Sequence, residues 1–433
     1  MSMRCSGAPR RTDCSVDVRP ANHRMMSVSS RLFLGVSMIV KPRVRGFICT
    51  TAHPIGCAAN VAEQVRYVRG RPQFSNGPKN VLVIGASGGY GLPSRISAAF
   101  GSGAATLGLS FEKPPTESKT ASAGWYNNRA FDKLAKEAGL WARTLDGDAF
   151  SDEMKTETID VIKNEMGPID LVIYSLASPV RKDPVTGEVY RSAIKPLGKT
   201  FHVKTLNVDK AEVHEVDLEP AEEAETEATV KVMGGEDWER WMNALAEACV
   251  LAPGCQTVSY TYIGSELTWP IYWHATLGKA KEDLDRAAQA IAARLDDIGG
   301  DAKVAVLKCV TTQSSAAIPV VPLYASLLFK VMKEQDSHET CMEHVQRLFE
   351  TQLYGDAGQR LDEERRIRVD DLELADQVQD EVKRRWPLVT TANLHELTDF
   401  AGFRYDFLRI FGFGVPGVDY DAEVDPQSIE PLA

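Results

Sequence analysis

Residues 80–91 read Asn-Val-Leu-Val-Ile-Gly-Ala-Ser-Gly-Gly-Tyr-Gly. The run from Asn80 to Ile84 is continuous and rich in β-branched side chains, the pattern of a strand buried on both faces. Glycines follow it at once, and residues 95–100 then read as helix, so the stretch predicts a strand, a tight turn and a helix. Gly85, Gly89 and Gly91 give the turn a G-x-x-x-G-x-G spacing. A turn without side chains lets the backbone approach a pyrophosphate, which then rests on the N–H groups of the following helix N-terminus. Such a turn also serves as a plain strand-to-helix connector, and its place directly after a strand favours the dinucleotide reading.

Outward from this unit, strands are expected at 105–111, 169–174, 257–262 and 304–310, separated by helical patterns at 127–138, 152–165, 237–249 and 277–298. Strands alternating with helices mean a parallel sheet covered on both sides. The fold class expected is therefore α/β, a Rossmann-like doubly wound parallel sheet with helices on both faces, enlarged by insertions around the substrate site. No repeat or Pro/Gly/Ser linker divides residues 38–433, which are expected to form a single domain. The acidic stretch 215–227 reads as an inert, solvated excursion.

The 433 residues are 44% hydrophobic and 25% charged, which excludes a disordered or fibrous chain. A net charge of −11 argues against nucleic-acid binding, because phosphates demand clustered Lys and Arg. The eight cysteines form no C-x-x-C pair, so reduced thiols in a cytoplasmic protein are expected rather than zinc or disulfides. The longest apolar stretch, 32–40, falls well short of the roughly twenty residues of a membrane span. Residues 1–37 carry six arginines, no lysine and many serines. They read either as an extension created by a misassigned start, with Met38 the initiator, or as an organellar transit peptide.

Three further segments fit a dinucleotide. Phe111-Glu112 closes the second strand with an acid where a ribose hydroxyl needs an acceptor, and that charge would repel a 2′-phosphate, favouring NADH over NADPH. The competing reading is an ordinary surface charge beside Lys113. Asp148-Ala149 follows a third strand, where an aspartate can meet the adenine, and Leu176-Ala177 closes the fourth with small residues that let backbone pass close to a cofactor.

Tyr272 and Lys281 make the last pair. At about 100° per residue, nine residues leave them half a turn out of phase on one straight helix. Pro270 disfavours a helix starting upstream, so Tyr272 is expected in a loop and Lys281 in the first turns of a helix beginning near Leu277. On these residues alone, a core tyrosine and a solvated lysine are equally good readings.

The sequence resembles the FabV-type family of enoyl-acyl-carrier-protein and trans-2-enoyl-CoA reductases, an enlarged branch of the short-chain reductases. The likeness rests on Lys41-Pro-Arg-Val-Arg-Gly-Phe-Ile-Cys-Thr-Thr-Ala-His-Pro54, Gly124-Trp-Tyr-Asn127, Gly234-Gly-Glu-Asp-Trp238, Leu397-Thr-Asp-Phe400 and the Tyr-x8-Lys spacing, and spans about nine-tenths of the chain. It implies NADH-dependent reduction of the trans-2 double bond of enoyl thioesters on acyl carrier protein or CoA, by a monomer. It implies Tyr272 as proton donor, Lys281 on the nicotinamide ribose, and Tyr262 as the substrate-contacting tyrosine. Cofactor contacts are implied at Gly85, Ala86, Ser87, Gly88, Gly89, Tyr90, Phe111, Glu112, Asp148, Ala149, Leu176, Ala177, Cys309, Val310 and Thr311. Cys309-Val-Thr-Thr-Gln stands where relatives more often carry Ala-Val-Val-Thr-Gln.

Hydride added to the β-carbon of an enoyl thioester leaves negative charge on the thioester oxygen, which needs a donor. A phenol supplies one, and a nearby ammonium is expected to lower its pKa. A short-chain ketone or alcohol dehydrogenase would need Tyr-x3-Lys, which is missing here, and a non-catalytic dinucleotide sensor would not need both Tyr272 and Lys281. Residues 318–329 suit either an acyl-chain wall or a core helix. His53 and His274 are expected to be structural, and the acids of 419–425 solvated.

Overall fold

The computed structural model describes residues 37–430, so the expectation for the N-terminal extension lies outside the described residues except for Ser37. Seven parallel strands form the central sheet: β1 (Asn80–Ile84), β2 (Ala105–Ser110), β3 (Ala142–Asp146), β4 (Ile169–Tyr174), β5 (Leu251–Thr261), β6 (Asp301–Val306) and β7 (Ile367–Arg368). Their spatial order is β3-β2-β1-β4-β5-β6-β7. The order reverses between β1 and β4, and a crevice opens beyond the carboxyl ends of strands at such a switch point.

Alternation along β1 explains why both faces are covered. Val81 and Val83 point to one side, packing with Ala98, Val345 and Leu348. Leu82 and Ile84 point to the other, packing with Trp238, Trp241, Leu284 and Ile291. Among the helices α1 (Pro54–Arg69), α2 (Gly91–Ser102), α3 (Ala123–Glu137), α4 (Asp152–Val161), α5 (Glu236–Glu247), α6 (Thr276–Leu295), α7 (Val321–Glu334), α8 (Cys341–Leu348), α9 (Asp376–Arg385) and α10 (Phe400–Ile410), it is α2, α5, α6 and α8 that supply these partners. In α5 the buried Trp238, Trp241, Met242 and Leu245 recur at three- and four-residue steps, so one stripe faces the sheet. Ser151 starts α4 by accepting a hydrogen bond from Met154 N–H, with Asp152 and Glu153 in the first turn.

The sheet departs from the expected boundaries in three places. β5 begins at Leu251 rather than 257, with exposed Pro253 and Gly254 on its outer part and a register shift between Leu251 and Gln256. A bulge tolerates a proline and glycine that otherwise punctuate a strand. β6 stops at Val306, and residues 307–312 leave the sheet as loop. β7 is too short to carry a sequence pattern.

The acidic stretch 215–227 is not an idle excursion. Phe201–Asn207 and Glu212–Leu218 form an antiparallel hairpin, and Glu223–Met233 is a helix whose capping box uses Glu222 and Glu225. Glu225 also holds Lys195 at 2.6 Å. Val213, Val216 and Leu218 on the hairpin pack against the core clusters, an apolar share hidden by the carboxylates between them. Residues 321–334 form α7, buried along nearly its whole length in a cluster that also contains Tyr262 and Tyr272.

Candidate active site

The glycine turn, Glu112, Asp148-Ala149, Leu176-Ala177 and Cys309 to Thr311 follow the carboxyl ends of β1, β2, β3, β4 and β6 respectively. Five segments scattered over 227 positions of sequence thus meet at one edge of the sheet. Gly85 and Ala86 donate their N–H groups to Leu109 O at 3.0 and 2.8 Å, which pins the turn to β2. Gly85 has φ +89°, and a Cβ there would run into Ser175 O, so the turn passes against the end of β4 only as glycine.

Ser87 Oγ donates to Glu112 Oε1 at 2.6 Å, and Asn127 Nδ2 donates to Ser87 O at 2.9 Å. Asp146 Oδ1 accepts the Glu112 N–H at 2.7 Å. These bonds tie the turn to the acid. Phe111 beside it is 77% exposed. Asp148 caps its own loop through Phe150 N–H at 3.0 Å, and the carbonyl of Ala149 accepts from Lys155 Nζ and Trp241 Nε1 at 3.0 Å each. A cavity of about 510 Å³ opens beside Glu112, lined in part by Trp125, Arg129, Asp132 and Asp146.

The described residues fit a dinucleotide on two observations. An added Cβ at Gly88 or Gly89 would meet nothing within 4 Å, so the backbone of the turn is left open to a ligand, and Thr311 Oγ1 is buried with no hydrogen-bond partner among the described residues, a polar atom left for a ligand group.

Tyr272 lies in consecutive turns between β5 and α6, where Ile271 and Tyr272 N–H both bond to Thr268 O. Lys281 lies in the second turn of α6, as the half-turn argument requires. Gly278 joins the two: its N–H donates to Tyr272 O at 2.9 Å, and a Cβ there would strike Trp273 O, so the turn folds onto the helix start only with glycine. Tyr262 follows the end of β5 and meets Tyr272 edge-on, with ring centroids 4.9 Å apart at 85°.

Burial raises the Tyr272 phenol above its ordinary pKa, and Lys281 is not among the groups that shift it. The expectation that Lys281 lowers this pKa is therefore not met: burial dominates the shift, and the Cys309 thiol adds to it in the same direction. Burial lowers the Lys281 ammonium to about 8, opposed by the Asp285 carboxylate on the next turn. Tyr272 is thus a phenol held neutral by burial, with a cation whose charge is easily lost nearby in sequence.

Sequence reading missed Asn127 as the brace of the turn and Glu373 as a buried acid among Tyr262, Tyr324 and Cys309. A carboxylate set between Leu372 and Leu374 was the available signal for the latter. His53 is a helix cap: its Nδ1 accepts from Gly56 N–H at 3.1 Å, and burial lowers its pKa to about 4. His274 is exposed beside Trp269. The acids near the C-terminus are mostly solvated, with Asp421 paired to Lys41 at 2.5 Å.

Residues 39–117 match a family model described as the NAD(P)H binding domain of trans-2-enoyl-CoA reductase, and residues 119–354 match the catalytic region of the same enzyme. Residues 361–424 match a model described as an enoyl reductase FAD binding domain. That last segment does not fit a flavin here: Val378, Val382, Phe400, Phe403 and Phe407 pack it into the cluster around α7, and its glycines lie in and after α10 rather than in a strand-to-helix turn. Enoyl-[acyl-carrier-protein] reductase [NADH] of Edwardsiella ictaluri is 58% identical over 389 residues, covering 90% of this chain and 98% of that one. The FabV enoyl-[acyl-carrier-protein] reductase [NADH] of Aeromonas salmonicida is 59% identical over the same coverage. Among solved structures, Clostridium acetobutulicum trans-2-enoyl-CoA reductase in complex with NADH superposes with a TM-score of 0.88 at 43% identity, covering 91% of this chain and all of that one. The Treponema denticola enzyme in complex with NAD gives 0.86 at 50% identity, covering 90% and 98%. The chain belongs to the trans-2-enoyl-CoA reductase family, together with these enoyl-[acyl-carrier-protein] reductases.

Proposed function

We propose that the chain catalyses NADH-dependent reduction of the trans-2 double bond of enoyl thioesters, the last reductive step of the fatty acid elongation cycle. The observation that carries this reading is the edge-on pair Tyr262 and Tyr272 beyond β5, with Lys281 in the second turn of the next helix, on a sheet whose switch-point turn suits a dinucleotide. When bound, NADH supplies the hydride that the β-carbon accepts.

Tyr272 donates its hydrogen bond to the thioester oxygen as negative charge gathers there. Its raised pKa keeps the proton in place, so it stabilises the enolate as a neutral donor. Lys281 binds the ribose beside the reacting carbon and adds a positive field while protonated. The α-carbon then takes a proton from water, which leaves Tyr272 protonated and closes the balance of one hydride and one proton per double bond. Glu112 accepts from the adenosine ribose and disfavours a 2′-phosphate. The turn Gly85 to Tyr90, Asp148, Ala149, Leu176, Ala177 and Cys309 to Thr311 line the remaining cofactor surface. Tyr262 and the buried face of α7 border the acyl group.

Residues 38–433 act as one domain in this reading, supported by a hydrophobic cluster that joins Tyr262 and Tyr272 to α7, α9 and α10. Monomeric action follows the family resemblance, and a cytoplasmic setting is supported by the free cysteines among the described residues. The test is NADH oxidation followed at its absorbance with crotonyl-CoA, dodecenoyl-CoA and a dodecenoyl carrier protein. Turnover with at least one of them is expected, and no turnover with any would overturn the assignment.

A further inference from the structure

Glu373 lies in the loop between β7 and α9 and is fully buried. Its Oε1 accepts from Tyr262 Oη and Tyr324 Oη, each at 2.8 Å, and its Oε2 accepts from Cys309 N–H at 2.5 Å. Gln379 Nε2 braces the cluster, donating to Glu373 O at 2.7 Å and to Tyr324 Oη at 3.2 Å. One carboxylate therefore joins the tyrosine beside Tyr272, a tyrosine of α7 and the backbone that follows β6. Burial pushes the Glu373 carboxyl up, while its three donors and the charge of Lys308 pull it back.

The direction of these bonds matters. A backbone N–H can only donate, so Oε2 must accept. Gln379 already donates to Tyr324 Oη, which leaves that hydroxyl's own proton for Oε1. Tyr262 has one proton, and it too points at Oε1. The Tyr262 oxygen then offers only lone pairs on its remaining side.

Resting on the reductase reading above, we infer that Glu373 is a positioning residue: it holds the Tyr262 proton away from the substrate and leaves Tyr272 as the one phenol of the pair able to donate to the thioester oxygen. Glu373 also anchors Cys309 N–H, so the arrangement of the tyrosines and the course of the loop after β6 are set together.

Glu373→Gln separates direction from packing. The amide keeps the shape of the acid, and the Cys309 N–H, which cannot turn, claims its oxygen. Its NH₂ then faces the phenols, which must accept, so the Tyr262 proton swings free and competes with Tyr272. The experiment measures kcat, KM for NADH and Tm for the wild type, Glu373→Gln, Tyr262→Phe and the double variant, with crotonyl-CoA. Glu373→Gln is expected to lower kcat by about ten- to a hundredfold, with KM for NADH within about threefold. Because the effect passes through Tyr262, the double variant is expected to be no slower than Tyr262→Phe alone. A wild-type kcat in Glu373→Gln, or losses that multiply in the double variant, would overturn the inference. So would a loss in Glu373→Gln explained wholly by a fallen Tm. An inactive wild type would instead overturn the reductase reading on which it rests.

Discussion

Lys281 is ordinarily charged up to about pH 10.5, and burial brings it down to about 8. Its protonated fraction is then about nine-tenths at pH 7 and about one-tenth at pH 9. If the ammonium is what the cofactor ribose and the developing enolate require, kcat/KM for NADH falls roughly tenfold between those values, with an inflection near 8. That ratio reports the free enzyme, so phosphates of a bound cofactor do not mask it. Lys281→Arg, charged throughout, removes the inflection even if it is slower overall. Stability runs the other way. The folded pKa lies below that of the unfolded chain, so between about pH 8 and 10.5 the unfolded state binds more protons and this group's contribution to stability rises with pH. Below about 8 its buried charge is a cost, so Lys281→Met is expected to raise Tm at pH 7 while lowering activity. The assay is initial NADH oxidation from pH 6.5 to 10 at constant ionic strength, with Tm at each pH. A profile flat to pH 10, or an arginine variant that tracks the wild type, would refute the reasoning.

Replacing Glu112 by Ser removes the carboxylate that would face a 2′-phosphate, and kcat/KM for NADPH is expected to rise about ten- to a hundredfold relative to NADH; an unchanged ratio would detach Glu112 from cofactor choice. Asp237, 2% exposed, holds Lys155 Nζ at 3.0 Å and Tyr174 Oη at 3.1 Å. Asp237→Ala leaves that lysine buried and unpaired, at a cost of about 3–5 kcal/mol measured by denaturant unfolding, whereas a loss under about 1 kcal/mol would mean that the pair is open to water. Burial pushes the Cys255 thiol up to about 12, while Cys249 is exposed, so iodoacetamide followed by peptide mapping is expected to label Cys249 far faster in the native protein. Equal rates would contradict the packing around Cys255.

The sheet was legible because β1 is apolar after Asn80, β4 is apolar but for Asp170, and β1 ends in a turn that needs glycine at Gly85. Both coincide with their expected bounds. Tyr272 and Lys281 were placed by helical phase together with Pro270, and the structure adds Gly278, on which the turn closes. What stayed hidden depends on contacts remote in sequence. Glu373 is 111 positions from Tyr262, and no period or spacing joins them. The hairpin 201–218 was obscured because its carboxylates drew attention away from the valines between them. The ammonium's expected influence on the phenol failed because charge was weighed without burial, and burial is visible only in three dimensions.

The central claim is that the Tyr272 hydroxyl stabilises the enolate. Its ring, packed edge-on to Tyr262, carries the structural role, and its hydroxyl has no hydrogen-bond partner among the described residues. Tyr272→Phe therefore removes the donor and keeps the packing. The direct measurement is the single-turnover rate of NADH oxidation with saturating crotonyl-CoA in wild type and Tyr272→Phe, alongside Tm. The account predicts a rate lower by about 10²–10³, the loss of one preorganised donor, with Tm changed by only a few degrees. A Tyr272→Phe enzyme that transfers hydride at the wild-type rate would contradict it.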